Sequence, residues 1–156
     1  MKCMAYPYPY KKTRFRPRKP VRSFRDLEVY QKALEGAVAV TKNILPILKE
    51  VDYPLRDEMV VCSLEIPRHI AEAHSNRFES KELAFPLLDK AMTGCNKMVV
   101  YLEQVRDIYS DKVERVMTEE LIRKYVFNRR KIFNLYKAWK KFLDQDQNQE
   151  PIINNN

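Results

Sequence analysis

Glycine is scarce in this chain: 156 residues contain two, Gly36 and Gly94. A glycine-rich phosphate loop, or the turn of a dinucleotide-binding βαβ unit, has no residues to be built from. Long apolar runs are also missing. The longest uncharged run is the 8 residues from Cys3 to Tyr10, far short of the roughly 18 that cross a bilayer. The first residues lack the apolar stretch of a signal peptide. Cysteine amounts to Cys3, Cys62 and Cys95, which form neither CxxC nor any spacing with histidine. Such an odd, scattered set fits reduced thiols rather than a disulfide framework. The expectation is a cytoplasmic protein with no membrane contact. The two histidines, His69 and His74, do not follow a glutamate by three residues, as a di-iron helical bundle requires. Glu65, His69 and Glu72 share one helix face, but no second cluster stands opposite. No Ser-His-Asp or Cys-His set can be assembled either. No enzyme, no cofactor and no metal site is expected.

What the chain does have is positive charge, unevenly placed. The net charge is +8. Residues 1–22 hold eight basic side chains and no acid, including Lys11, Lys12, Arg14, Arg16, Arg18, Lys19 and Arg22. Residues 23–117 are slightly acidic, with 13 basic and 16 acidic groups; residues 118–141 hold eight basic and two acidic. Basic charge gathered in an arm and one later segment points to a polyanionic partner, most simply nucleic acid.

Residues 1–22 form a basic, Tyr/Pro-rich flexible arm on this reading, because prolines and like charges oppose a helix. Tyr6, Tyr8, Tyr10 and Phe15 alternate with prolines and cations, which suits stacking on unpaired bases. Residues 23–143 read as four helices. Ser23 with Asp26 is a capping signal. Leu27, Tyr30, Leu34, Ala37, Val38, Thr41, Ile44, Leu45 and Leu48 follow at helical spacing to about 45–50, with Pro46 kinking or ending the run. The second helix starts near Pro54, runs to about Arg77 and carries Leu55, Met59, Cys62, Leu64, Ile66, Ile70 and Ala73, with Pro67 inside it. The third opens at Ser80, or a few residues later because of Pro86, and carries Leu83 to Val105. The fourth starts at Thr118 and carries Leu121, Tyr125, Ile132, Leu135, Tyr136, Trp139, Phe142 and Leu143. Residues 144–156 read as a polar disordered tail. With no period-two segment, the fold class is all-α: an antiparallel up-down four-helix bundle.

The fourth helix has two outer features. At about 100° per residue, Arg123, Lys124, Arg130, Lys131, Lys137 and Lys141 fall opposite the core stripe, with Phe127 among them. Such a ridge can neutralise phosphates and offer a stacking surface. Ile122, Val126 and Phe133 form a second apolar stripe beside it, which a bundle buries against another subunit.

Phe24-Arg-Asp-Leu-Glu-Val-Tyr-Gln-Lys-Ala33, with Ile66-Pro-Arg-His-Ile-Ala-Glu-Ala73 beyond it, resembles a bacterial four-helix-bundle family. Its members include proteins encoded in intervening sequences of large-subunit ribosomal RNA genes and the accessory variability determinant proteins of diversity-generating retroelements. The resemblance spans about residues 23–143. Arg68-His69 and Ala73 depart from the family's usual small polar pair and glycine. The resemblance implies assembly into a ring, a pentamer, and a non-catalytic role in binding nucleic acid, RNA first, alongside a partner reverse transcriptase. The alternative is a protein-binding scaffold that docks an acidic partner surface without touching nucleic acid.

Overall fold

The computed structural model describes residues 20–147, whose regular structure is entirely helical. A 3-10 turn, Phe24–Asp26, comes first. Ser23 and Asp26 cap it reciprocally: the Ser23 hydroxyl accepts from the Arg25 N–H, while the Asp26 carboxylate accepts from the N–H groups of Ser23 and Arg22 at 2.9 and 3.0 Å. Those two bonds hold the Asp26 carboxyl below its ordinary range. The sequence signal predicts a helix from residue 24; it closes a tight turn instead, and the long helix starts at Glu28.

That helix, α1 (Glu28–Ala39), passes through a π turn, Val40–Ile44, into α2 (Leu45–Glu50) without leaving helical backbone. Pro46 supplies the reason. Proline lacks an N–H, and its ring crowds the carbonyl four residues back. A widened turn ahead of it makes room and lets the rod continue. The rod ends at Asp52, whose φ of 52° is left-handed, a conformation Asp tolerates better than most residues. Tyr53 then turns inward, and its hydroxyl donates to Gln104 Oε1 at 2.6 Å.

α3 (Arg56–Asn76), α4 (Lys81–Ile108) and α5 (Arg115–Gln147) complete the four rods. Pro67 lies buried within α3. Pro86 lies within α4, so that helix begins at Lys81 and not after the proline. The carbonyl Pro86 leaves unpaired, that of Glu82, sits in the exposed first turn. α5 starts one turn before Thr118. This residue is buried, and its hydroxyl donates to the Glu114 carbonyl at 2.8 Å; it is not a cap. α5 also continues past residue 143 to Gln147, so the helical body extends into the segment read as tail.

α3 packs on α4, α4 on α5, and α1 on both α3 and α5, enclosing one core. Ile44, Leu48, Met59, Ile70, Leu102 and Ile132 are fully buried in it, each worth about 1.5–3 kcal/mol of transfer free energy. Leu34, Val38, Leu64, Leu83 and Phe142, all read as core from their spacing, are instead exposed. The helices carry more apolar residues than one inward face can hold. On α1, the inward positions go to the small Ala33, Gly36 and Ala37 beside Val29.

Those small residues allow close crossings. A β-carbon on Gly94 of α4 would stand 2.7 Å from Ile66 Cγ1 of α3, and one on Gly36 of α1 would stand 2.9 Å from the Tyr125 hydroxyl of α5. Both contacts are shorter than van der Waals packing permits. Gly94→Ala should therefore lower stability by about 1–2 kcal/mol, because overpacking against a stiff buried isoleucine exceeds the gain in helix propensity of up to ~1 kcal/mol. Urea denaturation measures it. A stabilised variant would mean the crossing is not tight.

Candidate nucleic-acid interface

α5 presents cations along its outer side. Arg123, Lys124, Arg130, Lys137 and Lys141 are exposed and Lys131 is partly so, as the sequence pattern predicts. Arg129 and Lys140 are exposed as well. The 100° wheel sets these two on a flank next to the core stripe, and so the ridge drawn from the sequence omits them. The neutralising contacts are few. Lys124 pairs with Glu120 at 3.0 Å and Lys131 reaches Glu28 of α1 at 3.4 Å. Among the described residues, the other six have no carboxylate within 4.0 Å. Of the arm residues, Arg22 is exposed beside the first turn, while Lys11, Lys12, Arg14, Arg16, Arg18 and Lys19 lie outside the described residues.

The aromatic rings of α5 belong to this cationic surface. Arg130 and Lys131 sit over Phe127 at 5.6 and 5.2 Å from its centroid, and Lys137 sits over Phe133 at 4.8 Å, distances at which the ring face attracts the cation. Phe133, assigned from the sequence to a separate apolar stripe, is therefore interleaved with the ridge. Ile122 packs partly against the core, leaving Val126 and Phe133, 54% and 42% exposed, as the open part of that stripe. Lys131 and Tyr125 mark the side of α5 that meets α1; Val126 and Phe133 turn away from it.

α5 also anchors itself through a residue the apolar pattern could not reveal. Asn128 is buried, and its Nδ2 donates to the Val29 carbonyl of α1 at 3.1 Å. A polar residue in a core stripe reads from sequence as an outward position.

A concavity of about 610 Å³ runs between α3 and α4, lined by Glu65, Ile66, Arg68, His69, Gly94 and Lys97 among others. Arg68 bridges Glu72 at 2.7 Å and Glu65 at 3.2 Å, so both carboxylates are already engaged. Among the described residues, no three His, Cys, Asp or Glu side chains are grouped to hold a metal. The Cys62 thiol donates to the Gly94 carbonyl at 3.5 Å. Burial raises its pKa, and pushes that of Cys95 up to about 12. Both stay protonated thiols at neutral pH and are poor nucleophiles.

Comparisons with protein families, with curated proteins and with solved structures found no match.

The two histidines behave alike. Burial lowers the pKa of each, helped by Arg68 at His69 and by Arg77 at His74, against weaker opposing pulls from Glu65, Glu72 and Asp26. His69 Nδ1 and His74 Nε2 are buried without a partner. The fold therefore favours neutral imidazole. Its contribution is intact above the unfolded value of about 6.5 and declines as pH falls below it, where the unfolded chain takes up protons the folded chain refuses. Stability measured from pH 7 to pH 5 should fall, and fall less in the His69→Asn, His74→Gln double variant. An equally steep decline in that variant would assign the loss to other groups.

Proposed function

We propose that this protein is a non-catalytic, homo-oligomeric scaffold that binds nucleic acid, RNA first, along α5. The observation that supports it most is the α5 surface itself: eight cations, six of them without a nearby carboxylate among the described residues, with Phe127 lying among them. Unpaired cations pair with phosphates and release counterions, while the Phe127 ring face offers a stacking platform. Such a surface reads charge and shape rather than base sequence. Consecutive helices pack side by side through short connections, which supports an up-down path. The resemblance carried by Ile66-Pro67-Arg68-His69-Ile70-Ala71-Glu72 supports grouping the protein with the ribosomal-RNA intervening-sequence and retroelement accessory proteins, and a reverse transcriptase is the protein partner that family implies. Cytoplasmic location follows from the same reading. No described helix is long and apolar enough to cross a membrane.

Binding of a structured RNA should weaken steeply between low and physiological salt and show little sequence preference. Changing Arg130, Lys131 and Lys137 together to Glu should reduce affinity on the order of tenfold or more. The salt slope should flatten by roughly 0.7–0.9 for each phosphate no longer neutralised. Undetectable binding at both salt concentrations would leave the protein-docking scaffold. That alternative uses the same cations against an acidic surface.

Two apolar faces support the ring. Leu34 and Val38 on α1, with Leu64 on α3, lie exposed on a side turned away from α5; Val126 and Phe133 lie exposed on a side of α5 turned away from α1. A subunit with two different sticky faces makes heterologous contacts, which close into rings when the rotation permits. Repetition around such a ring would multiply weak phosphate contacts into avidity. The number of five rests on the resemblance. Light scattering should report an oligomer at micromolar concentration. Phe133→Asp, which sets a charge into the apolar contact, should remain helical, fall to smaller species and lose RNA affinity. A monomeric parent protein would refute the ring.

A further inference from the structure

One end of the bundle carries exposed aromatic surface that phosphate binding does not use. In the turn between α3 and α4, Phe78 is 66% exposed, with the Arg77 guanidinium 4.2 Å above its ring. Trp139, Phe142 and Leu143, from the last turns of α5, face it across a shallow groove of about 100 Å³. Phe142 is more than half exposed. Lys81 fixes this end of α5, donating to the Leu143 carbonyl at 3.1 Å and standing 4.0 Å from Asp144. Aromatic side chains held in a groove and left wet gain free energy when something apolar covers them.

The described chain begins at this same end. Residues 20–22 lead into the Ser23–Asp26 turn, which packs on α3. The Asp26 carboxylate is close enough to His74 to act on its charge, and the His74 ring lies 6.2 Å from that of Trp139. The first described residues therefore lie beside the groove. The uncharged part of residues 1–19 is Cys3–Tyr10, with the alternation Tyr6-Pro7-Tyr8-Pro9-Tyr10. Proline's fixed φ reduces the entropy lost on docking, and proline-rich segments seat against aromatic-lined grooves. The ten residues from Tyr10 to Pro20 reach up to about 33 Å, enough to turn back. Charge selects the segment: Arg77 lines the groove and opposes the cations at 11–19, whereas the tyrosine-proline stretch carries none.

We propose that the groove formed by Phe78, Trp139 and Phe142 is the docking site for the Tyr6–Tyr10 segment of the same chain. Docking there tethers the basic residues 11–19 at one end of the bundle. The inference is independent of nucleic-acid binding, and its test contains no nucleic acid. Trp139 is the single tryptophan of the chain, so fluorescence reads the groove directly. In the full-length chain with Tyr6→Ser, Tyr8→Ser and Tyr10→Ser, the acrylamide quenching constant of Trp139 should rise about twofold and its emission move to the red. The three positions lie outside the described residues, and far-UV circular dichroism verifies that helicity is unchanged. A synthetic peptide of residues 1–12 added to that variant should restore the protection, and the same peptide with serine for tyrosine should not. Unchanged quenching in the triple variant, or equal protection by both peptides, would overturn the proposal.

Discussion

The packing of this bundle depends on two helix crossings where backbone stands in place of a side chain. The chain has two glycines, and the fold spends both on contacts between helices: Gly36 lets α1 approach Tyr125 of α5, and Gly94 lets α4 approach Ile66 of α3. With both pairs brought close, the buried side chains between them fill one shared core. The first crossing also sets the rotation of α5, since the face that presents Tyr125 to α1 fixes by helical phase where every other residue of α5 points. The cations of α5 thereby become an outer surface.

Much of this was legible from the sequence, and the limits have physical causes. Four helices follow from apolar periodicity and capping residues. Which apolar residues are buried does not follow where a helix has two apolar stripes: Leu34 and Val38 outrank Ala33 and Ala37 in hydrophobicity, yet the smaller residues lie inside because a close crossing leaves no room for larger ones. Ser63 and Asn128 are buried and polar, and periodicity assigns such residues outward. Pro46 and Pro86 carry a strong stop signal that local geometry absorbs.

The candidate site divides similarly. Exposure of the α5 cations was readable, because no core position accepts unpaired lysine or arginine. Helical angle also placed Phe127 among them; the contact of Lys137 with Phe133 was not readable, since cation–ring contact depends on side-chain rotamers and not on helical angle alone. The aromatic groove at the bundle end was invisible for another reason: Phe78 and Phe142 are 64 residues apart in the chain, and only the packing of α3 beside the end of α5 brings them together.

The π turn in the first rod has a consequence best expressed as phase. Val29 and Leu48 both face the core and lie 19 residues apart, whereas five turns of ideal α-helix hold about 18. The surplus residue would swing Leu48 roughly a quarter-turn out of line. Val40–Ile44 absorbs it in one wide turn, so the two halves of the rod stay in register with a single core. The rod works like a vernier, and that turn is the place where the chain could lose one residue and leave both halves facing inward.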